Sequence, residues 1–464
     1  MVTTTSLPPE LAAQALCIEG EAKASGLDFF EVVFEMLAAR DVNAVAAYGG
    51  FPVRYSSWRF GMDYERLQKG YEYGLSKIYE LVINNDPTYA YLVRSNSDME
   101  QKLVMAHVFG HADFFKQNVW FGPTERNMVD VMSRHAGRVR DYVEAFGQDE
   151  VERFLDVALS LDTLLDPYMP LRGKLQGDHP PTEKLGLSER ARRSFEAVIS
   201  SPLDRTDAAA PKPARLFAPP TYDIVGFLAE NAPIERWQRD VLRMIRDEAY
   251  YFAPQRMTKI INEGWASFWH SRILTSGILD ASEIVEFADC HSGATLAAPG
   301  QLNPYKLGIE LFRHAEQSGQ DIFRLRRMHN DVSFIDEVVD EEFASRNQLF
   351  VYQRNARTGR TEVADRDWGA IKEKLLSELS WGGLPRIELQ SADEGEHGEL
   401  LLVHKHEGRD LKLDEAGEML LMVEKVWGRS VHLLTVDDGQ GRRLTAEGGE
   451  IRAVETKTAE EACA

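Results

Sequence analysis

Two histidines four residues apart, His107 and His111, sit inside the apolar run DMEQKLVMAHVFGHADFFKQNVW between Asp98 and Trp120. On a helix, positions i and i+4 project from one face, about 6 Å apart along the axis, so both imidazoles can grip one divalent ion. Neutral imidazole joined by a carboxylate suits Zn²⁺, or Fe²⁺ and Mn²⁺ when further oxygen ligands join. A third ligand is expected from elsewhere in the chain. The sequence offers Glu263 in Ile261-Asn262-Glu263-Gly264-Trp265-Ala266, on a second helical stretch that brings His270 to the same face seven residues on.

Twelve histidines give roughly 0.3 chance pairs at this spacing, so the pair alone is a weak signal. In zinc peptidase helices of the H-E-x-x-H form the residue after the first histidine is a Glu that serves as general base; here it is Val108. What strengthens the reading is that INEGWASFW is similar to the LNEGFA stretch carrying the third zinc ligand in a large class of zinc aminopeptidases, a gluzincin arrangement. Those enzymes place that Glu only about 18 residues beyond the second His, whereas Glu263 follows His111 by 263 − 111 = 152 positions. A base must then come from elsewhere, and along the chain the candidates are Glu248, Tyr250 and Tyr251, just before Pro254. Asp113 is a candidate partner orienting an imidazole. His270 and His291 are candidate additional ligands or proton carriers. Catalytic and structural roles for the ion both remain open at this level, and so does a scaffold whose histidines are core residues.

The elements that must position these groups read as helices over most of the chain. Pro8 and Pro9 open a helix with a Leu11, Ala15, Ile18, Ala22 stripe, and Asp28 is placed to cap a second one carrying Phe29, Val32, Val33 and Met36. An aromatic-dense segment from Tyr55 to Tyr91 reads as a polar-aromatic core near a pocket, and Asn84-Asn85-Asp86-Pro87 as a turn. Residues 167–222, rich in Pro, Ala and charge, read as a flexible insertion with a short helix at 188–200. Pro233 opens a long helical pattern with a break expected at Pro254. From Leu349 the pattern changes: LFVYQRN, RIELQ, ELLLVHKH, SVHLLTV, RRLTAE and EIRAVE alternate as strands between Gly and Asp turns. The expected architecture is a mainly α N-terminal domain over 1–344 with a gluzincin-like helical core. A small C-terminal α+β domain follows over 345–456, with a frayed tail at 457–464.

Composition bounds the function. A length of 464 residues predicts more than one domain, and the formal charge of −21 argues against a broad nucleic-acid surface or an anionic membrane. Three cysteines without a CxxC motif read as reduced thiols. The N-terminus has no secretory pattern and no apolar run approaches a membrane span, so a cytoplasmic protein is expected. Neither a GxSxG elbow nor a phosphate-binding glycine loop occurs.

The stretches WRFGMDYERLQKGYEYGLSKIYELVINNDP, KLVMAHVFGHADFFKQN, MTKIINEGWASFWH and PGQLNPYKLGIELF closely resemble the SpoVR family, the stage V sporulation protein R proteins. The likeness continues into the tail with LLLVHKHEGRDL and VWGRSVHLLT. It implies a cytoplasmic bacterial protein acting in spore cortex formation or, in non-sporulating relatives, in stress and stationary-phase physiology. It also implies two partners, a PrkA-type serine kinase and a von Willebrand-domain-like protein. It carries no catalytic residue over.

Overall fold

A computed structural model describes residues 2–3, 7–72, 80–172, 219–295, 302–349, 351–354, 361–365, 367–395 and 398–456. Most of the expected insertion, its helix at 188–200 and the tail at 457–464 lie outside them. Helix predominates, as expected. Contacts group the chain into two compact units. The first takes the described residues up to Ala136 and from Met257 to Leu376, the second those from Gly137 to Arg256 and from Ser377 onward.

The first unit contains a sheet where helix was expected. Its order is β1-β2-β4-β3, from Val2–Thr3, Val32–Leu37, Glu80–Ile83 and Thr88–Val93. β1, β2 and β4 run parallel, and β3 pairs antiparallel with β4 through the Asn84–Pro87 turn. The segment VVFEML is thus strand β2, not the helix that Asp28 seemed to cap. Its β-branched residues favour the pleat, and burial of Val32 and Phe34 follows a period of two. Asp28 instead donates its backbone N–H to Asp113 Oδ1 at 2.9 Å.

β4 leads into the histidine helix, Asp98–Gln117. A capping box opens it: Glu100 N–H donates to Ser97 Oγ, and Ser97 N–H to the Glu100 carboxylate. Fifteen of its side chains, spread around the whole circumference, are buried, as befits a helix apolar on every side. The glutamate helix, Lys259–Ile273, is anchored at its start by buried Asp331, whose carboxylate accepts the N–H groups of Ile260 and Ile261 at 3.0 and 2.9 Å. A third helix, Pro304–Gln317, begins on an Asn303 cap with proline at its first position. These three helices touch backbone to backbone. A methyl on Gly110 would lie 2.6 Å from Ala266 Cα, one on Gly264 2.5 Å from Gly308 Cα, and one on Gly308 2.6 Å from Gly264 Cα.

Pro254 does not break its helix, which runs Arg236–Met257 and stops at Thr258. The proline falls in the final turn, where only one carbonyl goes without its donor.

The second unit carries a five-stranded sheet of order β11-β10-β9-β8-β7, built from Ile387–Glu394 (β7), Glu399–His404 (β8), Val431–Asp437 (β9), Gln440–Glu447 (β10) and Glu450–Glu455 (β11). All five had been expected as strands. β8 and β9 are parallel, so they need a crossover, and the helix Leu413–Trp427, absent from the sequence reading, supplies it. The remaining strands, β5 (Val351–Arg354) and β6 (Thr361–Asp365), form an antiparallel hairpin in the first unit.

His404 gives this sheet a pH dependence. It is buried on β8 with Nδ1 at 2.9 Å from Thr435 Oγ1. Burial, then His406 and Arg409, hold its pKa down to about 4. The unfolded side chain titrates near 6.5, so between these values the unfolded state binds the extra proton and stability falls as pH falls. Urea unfolding should lose about 3 kcal/mol through this group between pH 7 and pH 4. His404→Gln should flatten that part of the profile; an unchanged slope would contradict the assignment.

Candidate metal centre

The fold brings His107, His111 and Glu263 together. Glu263 Oε2 lies 3.4 Å from His107 Nε2 and 3.6 Å from His111 Nε2, and one ligand atom from each residue lies within 4.8 Å of the other two. Donor atoms at about 2.0–2.1 Å from a tetrahedral zinc stand roughly 3.3–3.4 Å from one another, so these spacings fit that coordination. Glu263 Oε2 is buried with no hydrogen-bond partner, an arrangement that costs free energy unless a cation answers it. Burial works to raise the Glu263 pKa, but His107, His111 and Lys259 outweigh it and hold the carboxyl below its ordinary value.

The opposite ring nitrogens are engaged. His111 Nδ1 is 2.9 Å from Asn262 Oδ1, so it carries the proton and Nε2 keeps its lone pair. The Asn-Glu dipeptide therefore provides both the third candidate ligand atom and the amide that orients His111. His107 Nδ1 is 2.9 Å from His270 Nδ1, and His270 Nε2 is 3.0 Å from His291 Nδ1. With His107 Nε2 unprotonated, the network assigns one consistent chain: His107 donates to His270, which donates to His291. All three are then neutral. This agrees with His270, held well below its ordinary value first by burial and then by neighbouring His107 and His291, and with His291, lowered by burial, Arg313 and His107. Burial and His107 likewise lower His111. His270 thus stands behind a candidate ligand, with His291 one step further out.

The Asp113 carboxylate takes the Trp265 indole N–H at 2.8 Å and the Asp28 N–H, and pairs with Arg326, so it ties elements together and does not orient an imidazole. Glu248, Tyr250 and Tyr251 belong to the second unit. There the Tyr250 hydroxyl donates to Asp223 at 3.0 Å, while Glu248 and Tyr251 are buried.

Two residues that sequence reasoning missed are coupled to the centre, Tyr305 by ring contact and Glu80 by charge. The Tyr305 ring stacks on His107, with ring centroids 6.2 Å apart, and its hydroxyl is held protonated by burial first and then by the charge of Glu263. Glu80, the first residue of β3, lies within electrostatic reach of His111, Glu263 and Tyr305. Neither shares a helical period with the histidines, so no spacing rule could have singled them out.

The model of the family described as SpoVR like protein matches residues 7–384. The chain belongs to the SpoVR family. This SpoVR chain is also similar to the Escherichia coli (strain K12) "Uncharacterized protein YcgB", 28% identical over 463 residues and covering 90% of each chain. No solved structure matches. The family match takes in the histidine helix, the glutamate helix and Tyr305, and stops before the five-stranded C-terminal sheet. No helix among the described residues of this SpoVR protein is long and apolar enough to cross a membrane.

Proposed function

We propose that His107, His111 and Glu263 hold one divalent cation, zinc first among them, and that the protein is a metal-dependent hydrolase. The observation that carries this reading is the buried, partnerless Glu263 Oε2 facing two imidazole Nε2 atoms at 3.4 and 3.6 Å. Three protein ligands leave a fourth position open, the arrangement of catalytic rather than structural zinc. There a cation polarises a carbonyl and acidifies water. Action in sporulation or stress physiology, and partnership with a PrkA-type kinase, rest on the family likeness alone and form the setting of this reading.

Metal analysis tests it. Protein purified without chelator, or reconstituted with zinc after dialysis, is expected to hold one equivalent. His107→Ala and Glu263→Ala should each cut zinc affinity by at least a hundredfold while circular dichroism shows the fold retained. A chain that takes up no zinc, manganese, iron or cobalt at micromolar concentration would overturn the proposal.

A further inference from the structure

The second unit holds a cavity of about 220 Å³ that the metal reading leaves unused. Its walls are the turn at 380–386, the end of β8 at His404, and the loop from there into the crossover helix Leu413–Trp427. Where a parallel pair is joined by a helix, ligands settle at this place, beyond the carboxyl end of the strand and beside the helix start. Lys412, at that start, makes no side-chain cap, so the leading N–H groups are not closed off by a capping side chain.

His404 is the buried polar group of the wall, 3% exposed. Thr435 gives its hydroxyl proton to the Val436 carbonyl at 3.3 Å and accepts from His404 Nδ1 at 2.9 Å. His404 Nε2 is left with its lone pair and has no hydrogen-bond partner among the described residues. Burial first, then His406 and Arg409, hold the ring below its ordinary pKa, so it is an acceptor near neutral pH. The charges of the wall are unevenly answered. Glu407 takes the Ser380 hydroxyl and Arg386, Asp410 takes His406 and the Asp438 N–H, and Glu415 takes Lys412. Lys405 pairs with Glu388 of β7. Arg409 alone among the lining bases has no carboxylate partner among the described residues. Its guanidinium donates to the carbonyls of Glu378, Gly383 and Leu384 at 3.1–3.3 Å, which uses at most three of its five N–H groups. Arg386 Nε is buried and also without a partner. Trp381, Leu384, Pro385 and Leu411 make the rest of the lining apolar.

We propose that this cavity is a binding site for a small hydroxy carboxylate, with Arg409 on the carboxylate, His404 Nε2 accepting from the hydroxyl, and a short apolar body against Trp381 and Leu411. The site belongs to the second unit and owes nothing to the metal centre. One cation without a carboxylate partner matches one negative charge, so a monoanion fits and a dianion would meet Glu407, Asp410 and Glu415 with charge to spare. A guanidinium with unused N–H groups is suited to a planar carboxylate. The free imidazole acceptor explains why the ligand must bring a donor, since an acceptor there would leave Nε2 unsatisfied. A volume of about 220 Å³ lies below the roughly 300–1,000 Å³ of pockets for drug-sized molecules, which limits the ligand to a small metabolite.

The test titrates the full-length protein with 2-hydroxy-4-methylpentanoate, a probe that carries all three features, and reads binding by ligand-detected NMR. EDTA is kept in the buffer so that no metal-held copy of the probe contributes. Saturable binding at millimolar concentration is expected. On the same wild-type protein, 4-methylpentanoate, which lacks the hydroxyl, and 2-hydroxy-4-methylpentanamide, which lacks the charge, should each bind roughly tenfold more weakly. Inorganic phosphate should not displace the probe. Arg409→Gln, which keeps an amide donor for the backbone carbonyls, should bind acid and amide alike, with the fold checked by circular dichroism. No saturable binding of the probe would overturn the proposal. So would equal affinities for the three compounds, displacement by phosphate, or a folded Arg409→Gln that still prefers the acid. The comparison of compounds needs no variant, so it decides the matter even if Arg409→Gln does not fold.

Discussion

Gly264→Ala and Gly308→Ala are each expected to lower folding stability by about 3 kcal/mol or more, the upper end for overpacking a core. The reason is what the new methyl meets. At Gly264 it lies 2.5 Å from the Gly308 Cα and at Gly308 2.6 Å from the Gly264 Cα, so neither clash can be relieved by rotating a side chain. The glutamate helix and the helix Pro304–Gln317 must part instead. For a unit of this size such a loss is a fall of roughly 6–12 °C in Tm. Because the first helix carries Glu263 and the second Tyr305, their separation should also weaken cation uptake. Gly61→Ala is the control: this helical glycine has nothing within 4 Å of the added atom, so a gain of up to about 1 kcal/mol is expected. Thermal unfolding with zinc titration measures both effects. Wild-type Tm in both core variants would mean that the helices are not packed this tightly.

The same glycines explain what could be read in advance. His107 with His111 was legible because helical periodicity fixes which side chains share a face, and Glu263 because of its local NEGWA stretch; both segments are helices, whereas the Asn262 amide was not singled out. The C-terminal strands were legible because short runs rich in Val, Leu, Ile and Thr are set between Gly and Asp turns. Strand β2 was not. It is paired on both edges in a parallel arrangement, and such strands read as continuous apolar runs that periodicity cannot separate from helix. Asp28 then supplied a false cap signal, its real role being set by Asp113, 85 residues away. Tyr305 was invisible for a related reason: a helix start meets His107 through tertiary contact alone. The crossover helix Leu413–Trp427 went unread, although Gly428 in the left-handed conformation, φ 73°, closes it as a terminal glycine commonly does.

Asp113→Ala is expected to destabilise the first unit by roughly 3–5 kcal/mol, the usual result of leaving a buried charge unpaired, without lowering the proposed zinc uptake of protein that remains folded. Asp113 and Arg326 are 0% and 4% exposed at their side chains, with Arg326 Nε 3.2 Å from Asp113 Oδ2. The guanidinium also lies over the Trp265 ring at 5.3 Å, while the Trp265 indole donates to Asp113. Removing the carboxylate therefore strands a buried cation and an indole N–H beside the glutamate helix. Asp113→Leu combined with Arg326→Met should recover most of the loss, since replacing both members of a buried pair with apolar groups is often neutral. The pH dependence separates this pair from the proposed metal ligands. Burial pushes the Asp113 carboxyl up to about 6, with Arg326 and the Asp28 and Trp265 N–H groups opposing. A pKa raised above the unfolded value means that the folded state holds its proton more tightly. The associated stability is present at low pH and is lost as pH rises through about 4 to 6. Arg326→Met alone removes the opposing charge, so its unfolding free energy should fall more steeply between pH 5 and pH 8 than that of the wild type. Parallel profiles for the two proteins would show that the ion pair does not govern Asp113, and that the loss in Asp113→Ala arises from the two N–H groups instead.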